Sequence, residues 1–209
     1  MIEQGTPEWH AMRLGKVTAS RVADLMAKTK TGWGASRANY AAQLVCERLT
    51  GVAADTYQND AMRWGVENEP LARAAYEFRT DQTVTMVSFI DHPRIAMSGA
   101  SPDGLVGDKG LVEIKCPNSA THIDTLLNAT VPAKYVLQMQ WQMACTGREF
   151  CDFVSFDPRL PEAMRMFHAT VYRDQQVITE LEREVEVFLA EVDDTIKRLR
   201  RDYAEAEAA

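Results

Sequence analysis

The chain has 209 residues, of which 46% are hydrophobic, and it carries a formal net charge of −7 at pH 7. Because this is ordinary for a globular domain with a sizeable core, we expect residues 1–209 to form a single domain with a fraying Ala/Glu tail at 204–209. The absence of a long apolar run and of a cationic signal segment favours a cytoplasmic protein without a membrane span.

Hydrophobic periodicity predicts helices and strands in an order typical of a central mixed sheet flanked by helices. The predicted helices are 18–28, 35–50, 61–79, 132–146 and 174–203. The predicted strands lie near 83–90, 94–99, 104–107, 111–116, 150–156 and 166–172. In the last helix, eight apolar residues from Val177 to Tyr203 recur at three- and four-residue steps, which indicates core or subunit packing.

The charges are distributed unevenly between the N-terminal helices and the last helix. Seven basic and two acidic residues lie between 13 and 48, whereas 174–207 holds eleven acidic and five basic residues. The basic segment can follow phosphate groups, while the acidic remainder limits nonspecific binding to nucleic acid. Individually, Lys28 and Arg37 are interpreted as solvated surface charges.

In the predicted helix at 61–79, Glu69 lies in the middle of an apolar face. The residues that share this face are Met62, Val66, Ala72 and Tyr76. An unpaired carboxylate there is costly, whereas a carboxylate directed at a cation is compensated. Glu67 points elsewhere and is interpreted as a solvated charge. Pro70 removes a helical hydrogen bond, which predicts a kink or a helix start at that residue.

The most informative motif is Ser101-Pro102-Asp103-Gly104, followed by Glu113-Ile114-Lys115 after a turn signal at 107–110. Because side chains alternate along a strand, Glu113 and Lys115 share a face. A two-residue loop would direct Asp103 away from Glu113, whereas a three-residue loop would place all three charges on one face. Alternatively, Asp103 lies just outside the regular strand.

These three charged side chains predict a cation site. Burying them without partners would cost several kcal/mol, and a divalent ion held by Asp103 and Glu113 would remove much of that cost. Carboxylate ligands favour a hard ion such as Mg²⁺ or Mn²⁺. The alternative is an exposed hairpin in which Glu113 and Lys115 form an ion pair of little energetic value.

The predicted helix at 132–146 carries three glutamines. Gln138 and Gln142 share a side with Tyr135 and Cys145. We interpret Gln140 and Gln142 as plain surface residues.

The cysteines and histidines exclude several kinds of site. Four of each are present, without C-x-x-C or H-x-x-x-H spacing. We therefore expect no zinc site, iron–sulfur cluster or disulfide framework, and interpret the cysteines as reduced, mostly buried thiols.

Together, these motifs resemble a known family. Asp103 followed by Glu113-Ile114-Lys115 resembles the signature of the PD-(D/E)xK nucleases, and SPDGL with LVEIKCP resembles the phage lambda-type exonucleases, or YqaJ-type viral recombinases. The other similar blocks are W-H-x-x-R-x-G-x-x-T-A-S at Trp9–Ser20, Trp64-Gly65 with Glu69 and Ala72-Arg73, and Tyr135 with Gln138-Met139-Gln140. The segment 150–209 is similar only loosely.

The resemblance implies an α/β fold with a restriction-endonuclease-like core, a central mixed sheet flanked by helices. It also implies a Mg²⁺-dependent exodeoxyribonuclease that degrades one strand of linear double-stranded DNA 5′→3′ from a 5′-phosphorylated end. The ion would be held by Asp103, Glu113 and the main-chain carbonyl of Ile114, and Mn²⁺ is expected to substitute. Glu69 would help to hold a second ion. Lys115 would orient or deprotonate the attacking water.

The resemblance also assigns residues around this centre. Gln138 would lie at the active site. Arg13, Ser20 and Ser101 would hold the terminal 5′-phosphate, although Ser20 is equally well interpreted as a helix cap. Lys30 would belong to a basic DNA-contacting loop.

Two further expectations concern the end of the duplex and the partners of the protein. Met62 would be an apolar wedge that opens the duplex end, with a core position as the alternative. The family forms a ring-shaped homotrimer around DNA and works with a single-strand annealing protein in phage recombination. We expect both properties here from the resemblance alone.

Two other functions remain compatible with parts of the sequence. A DNA-end-binding module without catalysis would need no cluster of Asp103, Glu113, Lys115 and Glu69. A restriction-type or junction-resolving endonuclease shares that cluster but has no use for a terminal-phosphate pocket. The block from Arg13 to Ser20 therefore discriminates between internal cutting and degradation from an end.

Overall fold

The computed structural model describes residues 2–30, 32–53 and 60–204. Its helices are α1 (Pro7–Arg13), α2 (Val22–Met26), α3 (Ala35–Thr50), α4 (Asp60–Thr80), α5 (Ser119–Asn128), α6 (Ala133–Thr146) and α7 (Gln175–Ala204). Its strands are β1 (Val17–Thr18), β2 (Lys28–Thr29), β3 (Gly32–Trp33), β4 (Val84–Thr85), β5 (Ile90–Asp91), β6 (Ser98–Ala100), β7 (Gly104–Val106), β8 (Gly110–Lys115), β9 (Phe150–Phe156) and β10 (Met166–Tyr172).

The central sheet has the strand order β10-β9-β8-β7-β4. Its β8 and β9 strands are parallel, whereas the other neighbouring strands are antiparallel, so the sheet is mixed as predicted. A second sheet has the order β1-β6-β5, and β2 and β3 form a separate hairpin. None of the helices in the described part of the chain is both long and apolar enough to span a membrane.

Alternation along β8 gives the central sheet two different buried faces. Val112 and Ile114 pack with Tyr76 of α4 in one apolar cluster. Leu111 packs with Met139 of α6 in another cluster on the opposite face. Glu113 has the same parity as Leu111, so its carboxylate points towards α6.

The apolar stripe of α7 forms the third cluster. Leu181, Val185 and Phe188 are fully buried among residues of α2 and α3, and the Phe188 ring stacks on Tyr40 at 5.4 Å. This confirms that the stripe is core packing, except at Tyr203, whose side chain is exposed.

Several predicted elements agree with the structure, and the differences have identifiable causes. The two strands at 150–156 and 166–172 are confirmed, and α3, α4, α6 and α7 agree with their predictions to within two residues. The predicted helix at 18–28 is instead β1, a 3₁₀ turn and α2, followed by β2. The strand predicted at 83–90 is two short strands in different sheets, because β4 pairs with β7 whereas β5 pairs with β6.

Two helices were not predicted because neither has an apolar stripe directed inward. Helix α1 begins at Pro7, is capped by the Thr6 side chain, which accepts from Trp9 N–H, and buries no residue fully. Helix α5 buries His122 and Thr125, while Leu127 is exposed. Helix α5 therefore buries polar side chains and exposes an apolar one, the reverse of an ordinary amphipathic surface helix.

The apolar face predicted for 61–79 is only partly correct. Ala72 and Tyr76 are buried, but Val66 is 71% exposed because this part of α4 lines an open cavity. The side chain of Met62 lies outside the described residues. Helix α4 continues through Pro70, so the proline does not start the helix.

The interpretation of Arg37 as a solvated charge is wrong. Its side chain is 4% exposed, donates to Leu25 O at 3.1 Å, and contacts both carboxylate oxygens of Glu191 in α7 at 3.1 Å. Arg48 also forms an ion pair with α7, through a single contact with Asp193 Oδ1 at 2.6 Å. The acidic helix thus neutralises part of the basic N-terminal segment.

Candidate active site

The β7–β8 hairpin sets the position of Asp103. Val106 pairs with Gly110 and Gly104 with Val112, so the loop consists of three residues, 107–109. Gly107 has a positive φ of 50°, which favours glycine at this position. The same register places Asp103 opposite Glu113, one residue before the regular strand begins. The three-residue loop is therefore confirmed.

Three oxygen-bearing groups converge on the ammonium of Lys115. Its Nζ forms an ion pair with Glu113 Oε1, donates to the main-chain oxygen of Ile114 at 3.2 Å, and lies 3.9 Å from Asp103 Oδ2. The same Asp103 oxygen accepts the Ile114 N–H at 2.6 Å. The side chain of Glu113 is fully buried. These are the oxygen groups that the sequence predicted as cation ligands.

Burial and mutual charge interactions shift the pKa values of Asp103 and Lys115. Burial, followed by the charge of Glu113, raises the pKa of Asp103 well above its ordinary value. Burial lowers the pKa of Lys115, but the charges of Glu113 and Asp103 outweigh it, so the pKa is raised overall. The two carboxylates therefore favour the ammonium form of Lys115.

Both oxygens of Glu113 accept hydrogen bonds from glutamines of α6. Gln138 Nε2 donates to Oε1 at 2.5 Å, and Gln142 Nε2 donates to Oε2 at 2.5 Å. The sequence placed Gln138 at this site, but the interpretation of Gln142 as a surface residue is wrong because its side chain is fully buried.

Gln140 is also buried rather than exposed, and it contacts other elements. Its Nε2 donates to Tyr172 O at 2.8 Å, and its Oε1 accepts from Asp174 N–H at 2.9 Å. The surface interpretation fails for both glutamines because the stretch 138–145 of α6 is buried on all sides.

Glu69 lies beside the cluster. Its Oε1 accepts from Arg73 Nη2 at 2.7 Å, and its charge contributes to the raised pKa of Asp103. Among residues 2–30, 32–53 and 60–204, no group of three or more acidic, histidine or cysteine side chains could hold a metal ion. The oxygen groups around Lys115 are two carboxylates, from Asp103 and Glu113, and the main-chain carbonyl of Ile114.

A separate basic cavity of about 530 Å³ lies between the N-terminal segment and α4. Arg13 and Ser20 line this cavity, together with Lys16 and Arg63. The Arg13 guanidinium lies 3.9 Å from the centroid of the Trp9 ring, and burial lowers its pKa. Two of the three predicted phosphate-binding residues thus share one cavity.

Ser101 is connected to that cavity through Trp9, whose Nε1 donates to Ser101 Oγ at 3.0 Å. The alternative interpretation of Ser20 as a helix cap is wrong, because Thr18 and Arg21 occupy the cap positions of the two helical segments around it. Lys30 is exposed in the turn between β2 and β3.

The mixed sheet and the Asp103–Glu113–Lys115 cluster define a nuclease of the PD-(D/E)xK type. The family model for the YqaJ-like viral recombinase domain matches residues 8–149, which is more than half of the chain. The protein therefore belongs to the YqaJ-like viral recombinase family.

Solved structures agree with this assignment. The alkaline exonuclease LHK-Exo from Laribacter hongkongensis is 55% identical, with a TM-score of 0.90 over 96% of this chain and 100% of that chain. The structure of LHK-Exo in complex with dAMP has the same identity and coverage and a TM-score of 0.91. The comparison with curated proteins finds no match. This protein is a phage-type exonuclease.

A more distant structure supports the fold alone. It is a phage-related exonuclease from Haemophilus somnus 129PT, which is 16% identical and has a TM-score of 0.73. The alignment covers 88% of this chain and 96% of that chain. The central mixed sheet with its flanking helices is thus retained at low identity.

Proposed function

We propose that the protein is a Mg²⁺-dependent exodeoxyribonuclease that degrades one strand of linear double-stranded DNA 5′→3′ from a 5′-phosphorylated end. The observation that carries this proposal is the convergence of Asp103, Glu113 and the Ile114 carbonyl on the Lys115 ammonium. These are hard oxygen donors already arranged around a positive charge.

The residues present fit a divalent ion of the Mg²⁺ or Mn²⁺ kind. Asp103, Glu113 and the carbonyl of Ile114 would hold it, since carboxylate and carbonyl oxygens are the ligands that such ions prefer. When bound, the ion would stabilise charge on the attacking and leaving oxygens of an in-line phosphoryl displacement. Glu69 would contribute to a second ion after releasing Arg73.

The remaining side chains of the centre act on water and on the carboxylates. Lys115 would orient the attacking water and offset phosphate charge. Gln138 would fix Glu113 through its bond to Oε1. Both roles use donors already directed at the buried carboxylate.

Recognition of the 5′ end would take place in the basic cavity. Arg13 can bind two phosphate oxygens at once, and its stacking on Trp9 holds the guanidinium plane in place. Ser20 and Ser101 would add hydroxyl donors. The complex of the similar LHK-Exo with dAMP supports a deoxyribonucleotide site in this kind of protein.

The assembly and cellular role follow from the family. We propose a homotrimer that encloses DNA, acting with a single-strand annealing protein in phage-type recombination in the cytoplasm. Residues 1–209 would form one nuclease domain in each subunit. Lys30 would contact the duplex and Met62 would separate its end.

A time course with three DNA substrates tests the activity. Linear duplex with 5′-phosphate ends should be degraded in Mg²⁺, the same duplex with 5′-hydroxyl ends should be degraded more slowly, and closed circular duplex should stay intact. Cleavage of the circle would replace the proposal with an endonuclease. Degradation of the 3′-ended strand would reverse the proposed polarity.

A further inference from the structure

Gln142 holds one oxygen of Glu113 from inside the protein. Its Nε2 donates to Glu113 Oε2 at 2.5 Å, and both side chains are fully buried. The other oxygen, Oε1, contacts Lys115 and Gln138. The two carboxylate oxygens therefore have different surroundings, with Oε1 on the side of the charged cluster.

A thiol contacts the other end of the Gln142 amide. Cys151 Sγ donates to Gln142 Oε1 at 3.8 Å, which leaves Nε2 as the atom that faces Glu113. A carboxylate only accepts hydrogen bonds, so this orientation satisfies both groups. The chain from Cys151 through Gln142 to Glu113 thus links β9, α6 and β8.

We propose that Gln142 is a positioning residue that makes Glu113 a one-oxygen ligand and thereby sets the ion preference of the site. This inference rests on the proposed metal-dependent function. With Oε2 anchored by Gln142, Oε1 is the oxygen on the side of Asp103 and the Ile114 carbonyl, where an ion would take the place of the Lys115 ammonium. The anchored carboxylate cannot rotate to offer both oxygens to a larger ion.

The coordination chemistry of the two kinds of ion gives this anchor its effect. Mg²⁺ and Mn²⁺ suit octahedral sites in which each carboxylate contributes one oxygen, whereas Ca²⁺ accepts more ligands and commonly takes both oxygens of a carboxylate. A fixed one-oxygen Glu113 therefore favours the smaller ions. Loss of the anchor would weaken their binding and permit two-oxygen binding of Ca²⁺.

The test measures ion binding by calorimetry with the full chain in the absence of DNA, using Mn²⁺ and Ca²⁺ as probes. Gln142→Met keeps the length of the side chain and removes the donor. Mn²⁺ affinity should fall about tenfold or more, the usual cost of losing a group that orients a metal ligand. Ca²⁺ affinity should be retained, so the Mn²⁺/Ca²⁺ affinity ratio should fall by a similar factor.

Gln140→Met is the matched control, since Gln140 lies on the same helix, is equally buried and loses two hydrogen bonds that do not involve Glu113. Both variants should melt at lower temperature, but Gln140→Met should keep the ratio within about twofold because its effect is independent of the site. A merely structural role for Gln142 would make the two variants alike.

The outcomes separate the inference from the proposed function. Equal Mn²⁺/Ca²⁺ ratios in wild type and Gln142→Met would overturn the role of Gln142 and leave the metal site standing. Failure of the wild type to bind either ion would overturn the metal site and this inference with it. If Gln142→Met shows no cooperative melting, Gln142→Asn decides the matter, since its shorter amide cannot reach Glu113.

Discussion

The carboxylate centre and the basic cavity of this exonuclease are built in opposite ways. In the centre, Glu113 is fully buried and its contacts come from Lys115, Gln138 and Gln142. The cavity is an open space of about 530 Å³ in which Arg13 presents its guanidinium from the face of Trp9. The two regions share α4 but use different side chains, so on the proposed function chemistry and end recognition should be separable by mutation.

The largest effect is expected from the carboxylates. Asp103→Ala or Glu113→Ala should lower the cleavage rate on the order of a thousandfold or more and leave binding to DNA ends intact, because ion ligands rather than DNA contacts are lost. Replacing Mg²⁺ with Ca²⁺ in the wild type should also allow binding without turnover. Cleavage assays and gel-shift binding measure the two properties.

Asp108→Ala is a suitable control, since Asp108 is an exposed carboxylate in the loop of the same hairpin. It should leave both cleavage and binding unchanged. Normal cleavage by either carboxylate variant would exclude the assignment of the centre.

The second effect concerns the cavity alone. Arg13→Ala should remove the preference for 5′-phosphorylated over 5′-hydroxyl ends, because a charge-assisted contact contributes roughly 1.5–3 kcal/mol, on the order of tenfold to a hundredfold. Slow cleavage should persist, since the carboxylate centre is untouched. Arg13→Lys should recover only part of the preference, because an ammonium lacks the two-bond geometry. The preference is measured as the ratio of the degradation rates of 5′-phosphorylated and 5′-hydroxyl duplexes.

Lys109→Ala, which removes an exposed lysine paired with Glu149, should leave the preference unchanged. If Arg13→Ala retained the full preference, the phosphate would have to be recognised elsewhere. The block from Trp9 to Ser20 would then have a packing role only.

A buried carboxylate outside both regions tests whether the stability of the fold can be changed without changing cleavage. Asp152, on the α4 face of the sheet, accepts from Tyr76 Oη and Thr170 Oγ1, each at 2.6 Å. Tyr76→Phe removes one donor and should lower the free energy of unfolding by about 1–2 kcal/mol. Cleavage rate at a temperature where the variant is folded should not change.

Urea unfolding combined with a cleavage assay measures both properties of Tyr76→Phe. Thr195→Ala serves as control, since its hydroxyl donates to the Glu191 carbonyl within α7, away from Tyr76 and Asp152. A large loss of activity in folded Tyr76→Phe would mean that the two faces of the sheet are coupled.

The sequence was sufficient for the features that depend on local alternation. Glu113 and Lys115 lie on one face of β8 because side chains alternate along a strand. Whether Asp103 lies on the same face depends on the length of the hairpin loop. A turn with glycine at each end is compatible with either two or three loop residues, so the sequence did not decide the length. The pairing of Val106 with Gly110 resolves it in favour of three residues.

Features that depend on distant partners were not predictable. Arg37 and Arg48 pair with Glu191 and Asp193, which follow about 150 residues later in the chain. The burial of Gln140 and Gln142 likewise depends on what covers α6. The i, i+4 spacing of Gln138 and Gln142 was the one local signal, since it places two amides on the same side of the helix.

An effect visible only at low pH is expected from Asp157, a buried carboxylate that directly follows β9. Burial raises the pKa of Asp157, but hydrogen bonds from Arg159 and Ser119 outweigh it and lower the pKa to about 2. A lowered pKa in the folded state means that the carboxylate stabilises the fold above its ordinary pKa of about 3.9. That contribution is lost as pH falls from about 4 to about 2.

Asp157→Asn removes this titration, so its stability should depend less steeply on pH between about 4 and 2 than that of the wild type. Urea midpoints measured across that range give the two slopes. Asp108→Asn, in the exposed hairpin loop, should keep the wild-type slope. Identical slopes for Asp157→Asn and the wild type would mean that Asp157 titrates alike in the folded and unfolded states. The bonds from Arg159 and Ser119 would then confer no pH-dependent stability.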